Sequence, residues 1–272
     1  MRQINRSSLT TPHNLQTLYS NVTAHQSELA TIRTTEKAKS SIYAHDDVKT
    51  ALNALYKNVC YICQKSLAAG YEIEHFLPWS KHYPERAYDW HNLHKSCKFC
   101  NGKKRKVVYK QRCPSDLKKV IDMLLLCPTT EPVEQLIGFD SNTFEALDNS
   151  NQSNIKVAKT VEFLNASELV LDRSRHWHSF TNFLLSPEWS SVMLMIKNSY
   201  MNFTQIQLIN NNRQDYLVGD FCYRIHNGYL SLNSPYNVFT KSVMPNLTNL
   251  PIDLIKEYSR QFCINNNIAY PQ

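Results

Sequence analysis

Two Cys-x-x-Cys pairs, Cys60/Cys63 and Cys97/Cys100, are the feature that most constrains the fold of this 272-residue chain. Four thiolates complete the tetrahedral shell of a structural zinc ion and leave no position open for a substrate. The two pairs therefore predict one zinc knuckle that ties both segments to a single ion. The other four cysteines are isolated in the sequence: Cys113, Cys127, Cys222 and Cys263. Isolated cysteines usually act as small buried hydrophobic residues, and we expect that role for these four.

The length and composition indicate a folded chain in a reducing compartment. Apolar residues make up 42% of the sequence, and 272 residues suffice for one large domain or two modest ones. No run of about 18 apolar residues predicts a transmembrane helix, and the N-terminus lacks the apolar run of a secretory signal. We therefore expect a cytoplasmic protein without a membrane partner, in which paired cysteines bind metal rather than form disulfides.

The segment 71–76 lies between the cysteine pairs and carries candidate catalytic groups. Its sequence Tyr-Glu-Ile-Glu-His-Phe alternates like a strand and places an acid directly before a histidine. A neutral imidazole is a good general base near neutral pH, which predicts that role for His75. The Glu74 carboxylate and the Asn101 carbonyl oxygen are hard donors of the kind that Mg²⁺ or Mn²⁺ prefers. Glu72 is a close rival of Glu74 for this metal site.

Asn92 completes the set of candidate catalytic residues. It lies in Trp90-His91-Asn92-Leu93, and we expect it to brace the loop between two strands and to orient the backbone around His75. An acid, a histidine and two asparagines framed by a zinc knuckle resemble the HNH, or ββα-metal, nuclease pattern. That resemblance implies an α+β fold, in which a zinc-knuckle ββα-metal core is embedded in a mostly helical chain with a mixed α/β C-terminal region. It also implies hydrolysis of phosphodiesters to 5′-phosphate and 3′-hydroxyl ends.

A basic segment follows the second cysteine pair. Residues 95–119 carry a net charge of +9, whereas the rest of the chain carries −2. Such a stripe is either a solvated helix face or the electrostatic footprint of phosphate binding. In a ββα unit the helix after the second strand lies against nucleic acid, and Asn101 begins it here. We therefore expect phosphate contacts without base readout from four side chains: Lys103, Lys104, Arg105 and Lys106.

Four short motifs are similar to one branch of the HNH superfamily. They are Cys60–Cys63, Ile-Glu-His-Phe-Leu-Pro at 73–78, Trp-His-Asn-Leu at 90–93, and Cys97-x-x-Cys100-Asn101. The branch comprises the HNH subunits of Septu-type and retron-associated anti-phage defence systems (PtuB-like). The resemblance is specific over 55–110, weaker over 111–175 and absent over 180–272. It implies a partner ATPase in a defence complex, with the nuclease held inactive until it is triggered.

The remaining sequence predicts the organisation around this core. We expect three regions: an irregular N-terminal arm (1–44), the HNH nuclease domain (45–127), and a helical or mixed C-terminal region (128–272) that is available for a partner. Hydrophobic periodicity, caps and β-branched runs place the elements within them. Helices are predicted near 27–33, from 45 to 56, from 114 to 127, at 155–165, 167–184 and from 187 to about 200, and at 251–264; strands are predicted at 133–139 and within 203–243.

Two other functions stay open at the level of sequence. A ββα site attacks a phosphodiester without inherently distinguishing the sugar, so a structured RNA such as tRNA is an alternative substrate to DNA. A zinc module that only binds nucleic acid is the second alternative, although binding alone requires none of Glu74, His75 and Asn101. The five glycines lack the spacing of either familiar phosphate-binding loop, so the chain does not bind a nucleotide by those devices.

Overall fold

The structure is a computed structural model that divides the chain into two compact units. It describes residues 1–7, 9–80, 83–107, 112–113, 116–120, 123–151, 154–200 and 213–272, with the backbone alone for 105–107, 112–113, 116–120 and 200. Unit 1 comprises 1–137 and 148–164, and unit 2 comprises 138–147 and 165–272. The three regions expected from sequence were placed by composition rather than by contacts, and they remain a prediction. Among the described residues, no helix combines the length and the apolar character needed to cross a bilayer.

The fold is mixed α+β and mostly helical, with small sheets, which confirms the predicted class at that level. The described residues form three two-stranded sheets, which pair 72–75 with 93–96, 112–113 with 116–120, and 137–139 with 146–148. The elements of the first part of the chain are α1 His13–Ser20, α2 Val22–Thr35, α3 Ser40–Tyr43, α4 Asp46–Tyr56, β1 Glu72–His75, β2 Leu93–Ser96, α5 Lys98–Val107, β3 Arg112–Cys113, β4 Asp116–Val120, α6 Val133–Leu136, β5 Ile137–Phe139, β6 Ala146–Asp148 and α7 Ile155–Leu164.

The rest of the described chain is helical. Its helices are α8 Ser167–Leu184, α9 Pro187–Met195, α10 Arg213–Ile225, α11 Asn237–Thr248 and α12 Ile252–Asn266, with π-helical turns at Ile196–Tyr200 and His226–Leu230. Five predicted helices are confirmed: 45–56, 155–165, 167–184, the helix from 187, and 251–264. No strand occurs in the described residues after β6, so the described strands of the C-terminal region 128–272 are β5 and β6.

The candidate site residues lie on β1, β2 and α5, which follow one another along the chain. Helix α4 buries the apolar face that its sequence periodicity predicts, with Val48, Leu52 and Tyr56 inside the core. The chain then passes through the first cysteine pair into β1, whose partner is antiparallel β2 with Glu74 opposite His94. Every residue of β2 is buried, and α5 starts two residues after this strand ends.

The described part of residues 1–44 forms three helices rather than the predicted irregular arm, and the short helix predicted near 27–33 lies within α2. Their sequence shows no sustained period because α1 and α2 each bury one side chain, Leu15 and Ile32. Contacts with distant residues stabilise them instead: the Asn14 amide donates to the Asp47 carboxylate at 2.6 Å, and the Tyr19 hydroxyl donates to the carbonyl of Tyr88. Tertiary contacts thus stabilise helices that their own sequence propensity would not stabilise.

Two predicted elements after the basic segment are also wrong. The helix predicted over 114–127 is replaced at 116–120 by β4, which pairs with β3; residues 114–115 and 121–122 lie outside the described residues. The strand predicted at 133–139 begins as the single helical turn α6 and becomes extended only at β5. Short apolar runs do not distinguish helix from strand by periodicity, and pairing with a neighbour decides between them.

The region 203–243, which was predicted as strands, contains two helices. Residues 201–212 lie outside the described residues, whereas 213–225 form α10 and 237–248 form α11. The β-branched and aromatic run at 221–225 suggested a strand. Its buried residues nevertheless have helical spacing, since Val218, Phe221, Cys222 and Ile225 are separated by three, one and three positions.

Two helical glycines are expected to respond in opposite ways to alanine. In α10, a Cβ at Gly219 would lie 2.6 Å from a ring carbon of Phe262 on α12, so Gly219→Ala should lower the free energy of unfolding by about 1–3 kcal/mol. In α5, a Cβ at Gly102 would meet no heavy atom within 4 Å. Gly102→Ala should therefore raise the free energy of unfolding by about 0.5–1 kcal/mol through its higher helix propensity. Urea denaturation of both variants measures these changes, and equal signs would contradict the packing described.

Acid is expected to destabilise the protein through His176 in α8. Burial lowers the pKa of His176 from 6.5 to about 4, and its Nε2 lies 2.9 Å from the Thr240 hydroxyl. In the unfolded chain this histidine becomes protonated near pH 6.5, whereas in the folded chain it stays neutral down to about pH 4. The free energy of unfolding should fall over this interval by up to about 1.4 kcal/mol per pH unit. Denaturation between pH 7 and 4 should give a shallower slope for His176→Gln than for the exposed control His178→Gln. Equal slopes would exclude this source of acid sensitivity.

Candidate functional site

The four paired cysteines form one cluster in unit 1. The sulfur atoms of Cys60, Cys63, Cys97 and Cys100 all lie within 4.8 Å of one another. The Cys63 and Cys97 sulfurs are 3.8 Å apart, which matches the edge of about 3.8 Å for a tetrahedron with Zn–S bonds of about 2.3 Å. The cluster could therefore hold a structural zinc ion.

Local backbone geometry explains why the cluster forms. A bridge between Val59 and Ser66 closes the hairpin that carries the first pair. Amide groups then point at sulfur, since the amides of Lys65 and Cys100 each lie 3.4 Å from a cysteine Sγ and can donate to a thiolate there. Burial raises the pKa of the Cys100 thiol well above its usual range, so a binding metal ion has to displace a proton. The Tyr61 amide donates to the carbonyl of Lys95 at 2.9 Å and fastens this hairpin to β2.

His75 ends strand β1 in a nearly buried position, with 9% of its surface exposed. Its Nε2 lies 2.9 Å from the backbone carbonyl of Ala87. A carbonyl oxygen can only accept, so Nε2 carries the proton and the lone pair resides on Nδ1. The rings of Tyr43 and Trp79 contact the imidazole, with centroids at 4.9 and 5.8 Å. The result is an imidazole held in one orientation, with Nε2 as its donor.

Asn92 ties together the loop between β1 and β2. Its side-chain oxygen accepts from the Leu77 amide at 2.6 Å, while its Nδ2 donates to the carbonyls of Leu77 and Arg86, each at 3.0 Å. The Asn92 carbonyl also accepts from the amide of Phe76 at 2.8 Å. Arg86 directly precedes Ala87, whose carbonyl orients the His75 ring. These contacts join the loop between β1 and β2 to the segment that orients the His75 ring.

Asn101 lies in the first turns of α5 and faces strand β1. It is 4% exposed, and its Nδ2 donates to the Glu72 carboxylate at 2.7 Å. Among the described residues, its Oδ1 has no hydrogen-bond partner although it is buried. Burying an amide oxygen without a partner costs about 1–3 kcal/mol, which favours a ligand at this position. The structure thus brings Glu72 next to Asn101.

Glu74 is paired with Lys104. The carboxylate is 5% exposed and forms an ion pair with the Lys104 ammonium, whose side chain has no exposed surface. The same ammonium donates to the carbonyls of His75 at 2.6 Å and Phe76 at 2.8 Å. The expected phosphate contact of Lys104 is therefore not made from this position, because the side chain faces the strand and not the solvent.

The other three basic residues of the predicted nucleic-acid contact differ in what the structure describes. Lys103 is partly buried, with its ammonium 5.9 Å from the centre of the Phe99 ring and 5.6 Å from that of Phe163. The side chains of Arg105 and Lys106 lie outside the described residues. Phosphate contacts by these three residues remain predictions.

A buried polar group behind the strands was not foreseen from the sequence. Arg6 donates to the carbonyl of Trp90 at 2.6 Å and to the Tyr56 hydroxyl at 3.2 Å. The Tyr56 hydroxyl in turn lies 2.6 Å from Nδ1 of His94, a fully buried residue of β2. Burial lowers the pKa of His94 well below its usual range, so its ring is neutral. No spacing in the sequence links these residues, because they come from three distant segments.

Comparison with known proteins gives one informative match. No family model matches the chain. A segment of 68 residues, 24% of the chain, is 40% identical to the Septu protein PtuB of Bacillus thuringiensis, and the match covers 26% of that protein. The chain therefore spans about a quarter of the length of this curated relative.

Proposed function

We propose that this chain is a metal-dependent HNH-type endonuclease that hydrolyses phosphodiester bonds of nucleic acid. The observation that carries the proposal is His75: a nearly buried imidazole whose Nε2–H is committed to the Ala87 carbonyl. This arrangement makes Nδ1 a general base for a water molecule that attacks phosphorus.

The donor atoms around α5 fit a divalent cation of the hard class. Asn101 offers a buried oxygen without a partner among the described residues, and the Glu72 carboxylate lies beside the same amide. Mg²⁺ and Mn²⁺ prefer such oxygen ligands. Asn101 and Glu72 would hold the ion, and Glu74 would join them if its carboxylate is shared with Lys104. A bound divalent ion supplies positive charge against the phosphate and the leaving oxygen.

The four cysteines would hold zinc in a separate, structural role. Thiolates select zinc over the hard cations, and a shell of four leaves no site for substrate. The knuckle places Cys100 immediately before Asn101, so the zinc ion fixes the start of α5. The two metals would thus have distinct ligands and distinct tasks.

Defence against phage is the cellular role we propose. The motifs resembling Septu-type HNH subunits and the segment similar to Septu protein PtuB both support it. A nuclease that contacts phosphates without reading bases needs control, and the resemblance favours a partner ATPase. Lys103, Arg105 and Lys106 would provide the phosphate contacts. Exposed apolar residues in the region 128–272, such as Leu185 and Leu194, are 70% and 59% exposed and could contribute to a contact with the partner.

Cleavage by the purified chain tests the proposal. Duplex DNA, single-stranded DNA and structured RNA should be incubated with Mg²⁺ or Mn²⁺ and, in parallel, with a chelator that spares the thiolate site. We expect metal-dependent products with 5′-phosphate ends from at least one substrate. A folded, zinc-loaded chain that binds all three substrates and cleaves none, alone or with its partner, would instead be a nucleic-acid-binding module.

Glutamine substitutions of Glu72 and Glu74 are expected to separate two roles. Glu72→Gln should raise the Mn²⁺ concentration needed for half-maximal cleavage, because it removes the carboxylate next to Asn101. Glu74→Gln should also lower the free energy of unfolding by about 3 kcal/mol, since it leaves the buried Lys104 ammonium without its counter-charge. Metal titrations and urea denaturation measure the two effects. An unchanged metal requirement in Glu72→Gln would remove Glu72 from the metal site.

A further inference from the structure

Lys104 holds three consecutive residues of the candidate site. Its ammonium forms an ion pair with Glu74 and donates to the backbone carbonyls of His75 and Phe76 at 2.6 and 2.8 Å. An ammonium has three N–H donors and no acceptor, so these three oxygens provide an acceptor for each donor. The side chain has no exposed surface. Lys104 is thus built into the end of β1 rather than displayed on α5.

Stability alone explains this arrangement poorly. Removing two charges from water has a desolvation cost that their attraction only partly offsets, and apolar residues of similar size often stabilise a protein more. The arrangement instead fixes the position of the groups that Lys104 contacts. The ammonium fixes the carboxylate of Glu74 and the peptide groups on either side of the next residue, so the backbone that carries His75 has little freedom to shift.

Two polar contacts join α5 to β1, and residue spacing explains both. Asn101 and Lys104 are three positions apart and therefore share the face of α5 that packs on β1. Glu72 and Glu74 are two positions apart and share the matching face of the strand. Two polar contacts, Asn101 with Glu72 and Lys104 with Glu74, consequently set the register between helix and strand. Lys98, the first residue of α5, is exposed.

We propose that Lys104 is a positioning residue for phosphodiester cleavage. It keeps the His75 imidazole and the Glu74 carboxylate in the arrangement that the reaction needs, and it does not contact the phosphates of the substrate. This inference rests on the proposed nuclease function. A displacement of about 1 Å at a reacting group can cost on the order of 100-fold in rate, which sets the size of the expected effect.

Lys104→Met retains the length of the side chain and removes its charge. We expect kcat to fall about 100-fold, while the Kd for nucleic acid and its dependence on salt concentration stay as in the wild type. The control Lys49→Met removes an exposed lysine of α4 and should change neither kcat nor Kd. A weaker Kd with a flatter salt dependence would make Lys104 a phosphate contact. Either that result or a kcat within about threefold of the wild type overturns the proposal.

A second variant separates positioning from folding. Glu74→Gln/Lys104→Met removes both buried charges, so neither is left without a partner, and zinc content reports whether the site has folded. Hydrogen exchange should be faster in this variant at the Phe76 and Leu77 amides, which bond to Asn92 in the wild type. The Tyr61 amide of the cysteine hairpin should exchange as before. Protection that is unchanged at Phe76 and Leu77, or loss of the whole fold, overturns the proposal.

The two readouts also distinguish the failure of this inference from that of the proposed function. Hydrogen exchange requires no cleavage. A wild-type chain that never cleaves would refute the nuclease function, whereas unchanged exchange would refute positioning by Lys104 in an active nuclease.

Discussion

Replacement of His75 by alanine is expected to lower the rate of cleavage by about 10²–10⁴-fold, the usual effect of losing a general base. The imidazole is nearly buried, and its tautomer is set by the Ala87 carbonyl. In the proposed mechanism the substitution removes the group that takes the proton from water, whereas the cysteine cluster is left intact. Zinc content and the Kd for nucleic acid should therefore stay at wild-type values. Single-turnover cleavage with saturating enzyme measures the chemical step directly.

Two controls make this result specific. His91→Ala removes an exposed histidine of the same loop and should cleave like the wild type. Added imidazole should restore part of the activity of His75→Ala, because a small base can enter the space left by the ring. Wild-type cleavage by His75→Ala would refute the mechanism. A variant that is inactive only because it has lost zinc would show a structural histidine.

Replacement of Cys97 by serine is expected to release the zinc ion and to unfold the site. Binding of structural zinc supplies free energy on the order of 10 kcal/mol in small domains, which is comparable to the whole stability of a domain. Cys97 is the least buried of the four cysteines, so its substitution disturbs packing least. Metal analysis should find one zinc per wild-type chain and much less in Cys97→Ser. Solubility and the folding midpoint should fall with it.

Cys263→Ser is the matched control for the zinc prediction. Its sulfur lies 3.8 Å from the carbonyl of Ala269, a contact that a serine hydroxyl can also make, and the residue is outside the cluster. We expect full zinc occupancy and near-normal stability. Full zinc occupancy in Cys97→Ser would disprove the four-thiolate site.

Local chemical patterns in the sequence predicted the parts of the site that depend on spacing alone. The two cysteine pairs predicted their cluster, and the apolar period of 45–56 predicted α4. Helix α10 was missed because the run at 221–225 is rich in strand-forming residues, and tertiary packing overrode that preference. Residues 1–44 were missed for the opposite reason, since contacts with distant residues support helices that have almost no apolar face of their own.

The interaction partners of individual charged residues could not be predicted from the net charge of the segment. A net charge of +9 over 95–119 says nothing about which face of a helix each side chain occupies. Lys104 was counted with its neighbours as a phosphate contact, but it points into the protein and pairs with Glu74. The orientation of Lys104 is related to its spacing of three residues from Asn101. A residue three positions after one that faces the strand faces the strand as well.

The placement of the cysteines also affects the chain before it has folded. An ion bound to both pairs closes a loop whose ends, Cys63 and Cys97, are 34 positions apart. Strands β1 and β2 lie within that loop, and Asn101 lies four positions beyond its end. Closing a loop of this size restricts the conformational entropy of the unfolded chain. A zinc ion bound there would thereby shorten the search that brings Glu72 of β1 against Asn101 of α5.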